Sequence, residues 1–67
     1  MSGIDELKAE IRKLSAKAMN LKMNLHDLSE ELPINWTTIP DLAKETYDAY
    51  AALEAARKKL KELETTA

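Results

Sequence analysis

A chain of 67 residues with no cysteine has room for one thin domain, 1–67, with no disulfide or thiolate metal site to brace it. Ten basic against twelve acidic side chains give a net charge of −2, which excludes a strong electrostatic pull on nucleic acid. Ala, Leu, Lys and Glu dominate and only one Gly is present, so the composition favours helix, and no apolar run approaches the ~20 residues that span a bilayer.

The opening M-S-G-I-D-E-L-K lacks a signal-peptide core, so a cytoplasmic protein is expected. From there apolar residues recur at Ile4, Leu7, Ile11, Leu14, Ala18, Leu21, Leu25, Leu28 and Leu32. Steps of three and four alternate without a break, the a/d seam of a coiled-coil helix over about four heptads. Asp5 and Glu6 suit its start, and Pro33 ends it by lacking an N–H and disfavouring helix at Leu32. The first helix is therefore expected over 4–32.

The segment P-I-N-W-T-T, about 33–38, is too short for anything but a turn between antiparallel neighbours. Ile34 and Trp36 are expected to fold back over the open end of the seam. A second helix, about 39–64, carries Ile39, Leu42, Thr46, Ala49, Leu53, Ala56, Leu60 and Leu63 at the same alternating spacing. Thr38 with Asp41 reads as a capping box, Pro40 fits the first turn, and Arg57, Lys58, Lys59 and Lys61 suit the negative end of the dipole. The fold class is thus all-α, an antiparallel two-helix hairpin of coiled-coil type.

Each helix bears a second line. At roughly 100° per residue, Met19, Met23, His26 and Glu30 lie roughly 100–160° from the first seam. Ala43, Tyr47, Ala51 and Glu54 form a matching line on the second helix, with Tyr50 at its border. Alanines on a wet face need only helix propensity to explain them. Two methionines, a histidine and a tyrosine on matching lines fit better with packing against another hairpin. Met19, Met23, Tyr47 and Ala51 are the expected contact residues of a homodimer or higher homo-oligomer, a four-helix arrangement.

His26 is the main candidate for metal chemistry on these lines. If a two-fold axis passes near its level, two imidazoles face each other and can share a divalent transition metal. Glu30, one turn on, adds an oxygen on the same face, whereas Asp27 points roughly 100° round the helix. Glu30 and Glu31 also crowd the C-terminal turn, where the dipole disfavours anions and a nearby cation would relieve them. A surface ion pair explains the same spacing. The methionines suit packing better than ligation.

No Ser–His–Asp set, phosphate-cradling loop or enclosed pocket is in view, so catalysis is not expected. RNA binding through Lys8, Arg12, Lys13, Arg57, Lys58 and Lys59 is disfavoured, since Asp5, Glu6, Glu62 and Glu64 share that end and no aromatic interleaves the cations. A pure protein–protein interaction module, with His26 merely interfacial, is the other reading.

The runs L-S-A-K-A-M-N-L-K-M-N-L-H-D-L-S-E-E-L-P, W-T-T-I-P-D-L-A and T-Y-D-A-Y-A-A-L resemble the Rop-like small helical-hairpin family encoded in bacterial nitrogen-fixation gene clusters. The likeness covers about residues 7 to 64. It implies an antiparallel hairpin that dimerises, with the histidine of L-H-D-L, here His26, able to bind a divalent metal between subunits. Ni²⁺, Zn²⁺, Fe²⁺ or Co²⁺ are the ions implied, at modest affinity with one histidine per chain. The resemblance implies no ligand role for Glu30, Asp27 or the methionines. It sets the protein beside nitrogen fixation as an accessory, handling metal or binding a nitrogenase assembly protein.

Overall fold

The computed structural model describes residues 3–66, so Met1, Ser2 and Ala67 of the unit read from the sequence lie outside it. Two helices account for nearly all of it: α1, Gly3–Glu31, and α2, Ile39–Thr66, joined through a single 3-10 turn, Trp36–Thr38. They lie side by side as an antiparallel hairpin measuring 51 × 15 × 14 Å. Among the described residues there is no strand, and no helix is long and apolar enough to cross a membrane.

The heptad seam is where the helices meet. Every seam residue of α1 from Ile4 to Leu28 is buried or half-buried, as is every one of α2 from Leu42 to Leu60. The most enclosed group is Ala18, Leu21, Ala49 and Leu53, flanked by Ile11, Leu14 and Leu42. Alanine in both helices at this level lets the backbones approach closely while leucines fill the space beside them. Thr46, the polar member of the second seam, is satisfied by its own helix: its hydroxyl donates to the Leu42 carbonyl at 2.8 Å. The seam opens at its ends, where Leu32, Ile39 and Leu63 are exposed.

The turn departs from the expected capping of the seam. Ile34 and Trp36 are 64% and 62% exposed and project away from the core. The backbone decides their direction. Asn35 sits in the left-handed region (φ 60°, ψ 23°), the Ile34 N–H donates to the Glu31 carbonyl at 3.0 Å, and the Thr38 N–H donates to the Asn35 carbonyl at 3.0 Å. The Thr38 hydroxyl also donates to that carbonyl, at 2.7 Å, so it closes the turn and makes no capping box with Asp41. The dipole argument for the basic cluster is displaced as well, because α2 runs on to Thr66 and its last turn holds no basic residue.

Asparagine is among the few non-glycine residues that tolerate the left-handed region. Asn35→Ala is therefore expected to cost about 1 kcal/mol, and Asn35→Gly to leave stability nearly unchanged, in thermal melts followed by helical circular dichroism.

Candidate metal and subunit-contact face

The spacing of α1 brings His26 and Glu30 onto one face, and the structure joins them: His26 Nε2 lies 3.1 Å from Glu30 Oε1. Both side chains are 67% exposed. As an ion pair this contact is worth little. It exists as one only when the imidazole is protonated, it faces water, and a cation N-terminal to its anion is the weaker orientation along a helix. Its main consequence is local. The last turn of α1 carries Glu30 and Glu31 with no basic residue, against the helix dipole, and the imidazole is the nearest group that can offset them.

The pair also has the dimensions of two ligands in one coordination shell. Ligands about 2.1 Å from a metal, at tetrahedral or octahedral angles, stand about 3.0–3.4 Å apart. Asp27, read from the helix angle as pointing elsewhere, comes within 3.6 Å of His26 Nδ1. That is too long for a hydrogen bond, but it sets a carboxylate on the far side of the ring, where the orienting partner of a metal-bound imidazole belongs. The Ser29 hydroxyl donates to the His26 carbonyl at 2.7 Å and takes no part in the side-chain arrangement. Among the described residues no three His, Asp or Glu side chains converge as a metal-binding group. One chain offers two donors, half of a four-coordinate shell.

His26 stands in line with an uncovered apolar stripe. Met19 and Met23 are each 59% exposed, and Tyr47 on α2 is 74% exposed. Ala43 and Ala51 are exposed beside Tyr47, and Tyr50 borders them. With α1 and α2 antiparallel, the 100° step places both lines on the same flank of the hairpin, splayed outward. A shallow groove along the outer face of α1, bordering that flank, is lined by Ala16, Lys17, Met19, Asn20 and Met23. The groove between the helices on the opposite flank is more charged, lined by Lys17, Glu45 and Asp48 with Leu14, Ala49 and Ala52. The Lys44–Asp48 ion pair, at 3.1 Å, joins residues of α2. The hairpin thus has one apolar and one polar flank.

A sequence profile of the Rop-like family matches residues 2–65. A UPF0437 protein of Azorhizobium caulinodans is 66% identical over 67 residues, covering all of this chain and 97% of that protein. A Frankia alni protein, described as a UPF0437 protein in the nifX-nifW intergenic region, is 56% identical over 43 residues, covering 64% of this chain and 52% of its own length. A structure determined by NMR as a structural-genomics target superposes with a TM-score of 0.89 at 48% identity, covering 96% of this chain and 90% of that one.

Proposed function

The chain belongs to the Rop-like family, and from that premise we propose that it is a dimeric accessory protein of nitrogen fixation whose subunits share a divalent metal through paired His26 side chains. The observation that carries this reading is the His26 Nε2–Glu30 Oε1 pair at 3.1 Å, held in water on the same line as Met19 and Met23. A methionine–tyrosine flank of this kind is an interface awaiting a second copy. Two copies brought together there supply two imidazoles, with two Glu30 carboxylates as further donors, and complete the shell that one chain leaves half made. The intergenic position of the Frankia alni relative supports the nitrogen-fixation setting. Nothing in the arrangement calls for catalysis. The role is metal handling, or docking on a nitrogenase assembly protein in the cytoplasm, with Ni²⁺, Zn²⁺, Fe²⁺ or Co²⁺ as candidate ions.

The reading restricts how two copies can pair. His26 lies nine residues beyond Lys17, the middle of α1, a distance of about 14 Å along the helix. A two-fold axis crossing both hairpins at mid-length would leave the imidazoles roughly 27 Å apart along that direction, too far to share an ion. The axis must instead pass at the level of His26 or run along the hairpin.

Titration of Ni²⁺ or Zn²⁺ into isotopically labelled protein tests the site. Chemical-shift changes are expected to concentrate on residues around His26 and to vanish in His26→Ala. Changes spread evenly along both helices would sink it, and retained dimerisation with no metal response would favour a pure interaction module.

A further inference from the structure

The bend of the hairpin carries a surface that neither the seam nor the metal face uses. Leu32, Ile34, Trp36 and Ile39 are all exposed there, at the end of the molecule. They belong to an ordered turn: besides the bonds to Glu31 and Asn35, the Trp36 N–H donates to the Pro33 carbonyl at 3.4 Å and the Ile39 N–H points to the Trp36 carbonyl. Such a turn displays its side chains already positioned, so a partner need not bear the entropy of ordering a loop. An exposed Trp beside exposed Ile and Leu is the composition of an interface centre.

Charge says what kind of partner fits. Between Asn24 and Ala43 the chain has Asp27, Glu30, Glu31 and Asp41 and no Lys or Arg, so four of its twelve acidic groups gather at the bend without a fixed cation. Among the described residues, Glu31 and Asp41 form no ion pair. The chain's own open end is a poor match. Residues 3–13 and 54–66 together hold seven basic side chains (Lys8, Arg12, Lys13, Arg57, Lys58, Lys59, Lys61) against six acidic ones (Asp5, Glu6, Glu10, Glu54, Glu62, Glu64). A second copy therefore brings almost no net charge to the bend, and an anionic membrane would be repelled by it.

We propose that the bend is a docking site for another protein, whose recognition segment presents an apolar face bordered by Lys or Arg. Its apolar face covers Ile34 and Trp36, and its cations meet Glu31 and Asp41. The site is separate from the apolar flank of the hairpin and operates whether or not His26 holds a metal.

The chain's one tryptophan makes the proposal measurable on the intact protein. The probe is a synthetic amphipathic helix of Leu and Lys about five turns long, with a Leu and Glu helix as its counterpart. The Leu/Lys helix is expected to shift Trp36 emission to the blue saturably, and the Leu/Glu helix to leave it unchanged. Ile34→Ser and the pair Glu31→Lys with Asp41→Lys should each weaken binding about tenfold while preserving helicity, because none of these residues is in the seam. Met19→Ser and Tyr47→Ser should bind as the wild type does. Four results would overturn the proposal: equal response to both helices; loss of binding in the flank variants and not in the bend variants; a Trp36 shift that follows protein concentration alone, which would make a second copy the occupant; or a shift on phospholipid vesicles, which would make it a membrane.

Discussion

Leu53→Ala is expected to lower the melting temperature by more than 10 °C and to leave the protein partly unfolded at room temperature when dilute. Leu53 is 4% exposed and packs in the layer of Ala18, Leu21 and Ala49. Removing a buried leucine side chain costs about 3 kcal/mol, the transfer term plus the cavity left behind. A chain of this size has a folding free energy of only about 3–10 kcal/mol, so one substitution takes a large fraction of it. At about 4–8 °C per kcal/mol for small domains, the expected drop follows. Leu21→Ala should behave alike. The alanines supply an internal control: Ala18→Leu and Ala49→Leu are expected to destabilise by about 1–3 kcal/mol through overpacking at the closest approach of the helices. Ala51→Leu, on the exposed flank, should leave the hairpin fold undisturbed. Circular dichroism melts at several concentrations check all of these. A melting point that rises with concentration would accompany the proposed dimer.

Met23→Glu and Tyr47→Glu are expected to halve the sedimentation mass at micromolar concentration while helical signal persists at high concentration. Each residue is exposed on one chain, so the substitution spares the seam. In a two-fold dimer each substitution occurs twice, and each copy buries a new carboxylate without a partner. At about 1.5–2 kcal/mol per copy the combined loss is about 3–4 kcal/mol, a weakening of roughly 10²–10³-fold. The same charge added on the polar flank, as in Ala52→Glu, should leave the mass unchanged. An undiminished mass in Met23→Glu and Tyr47→Glu would show that the flank is not the interface.

The hairpin was legible because its cause is periodic. Unbroken three-and-four spacing from Ile4 to Leu28 and from Leu42 to Leu60 marks the stripe that each helix buries against the other, and proline and a short turn force the helices to lie antiparallel. The ends were not legible in the same way. Ile34 and Trp36 are apolar, and composition alone sends them inward. Their direction depends on the left-handed Asn35 and on carbonyls that tie the turn to itself, and those are properties of the backbone. Thr38 illustrates the same competition: its sequence spacing to Asp41 suits a cap, but its hydroxyl finds the Asn35 carbonyl first. At the metal face, the contact of His26 with Glu30 follows from helical geometry. The approach of Asp27 to the other ring nitrogen does not, because it depends on how two exposed side chains turn about their own bonds.

The central claim, that two chains share one ion through His26, is tested most directly by metal stoichiometry on the assembled protein. Native mass spectrometry of the protein with excess Ni²⁺ or Zn²⁺ should give a dimer carrying one ion, and His26→Ala a dimer carrying none. One ion on each isolated chain, or the same loading in His26→Ala, would contradict it.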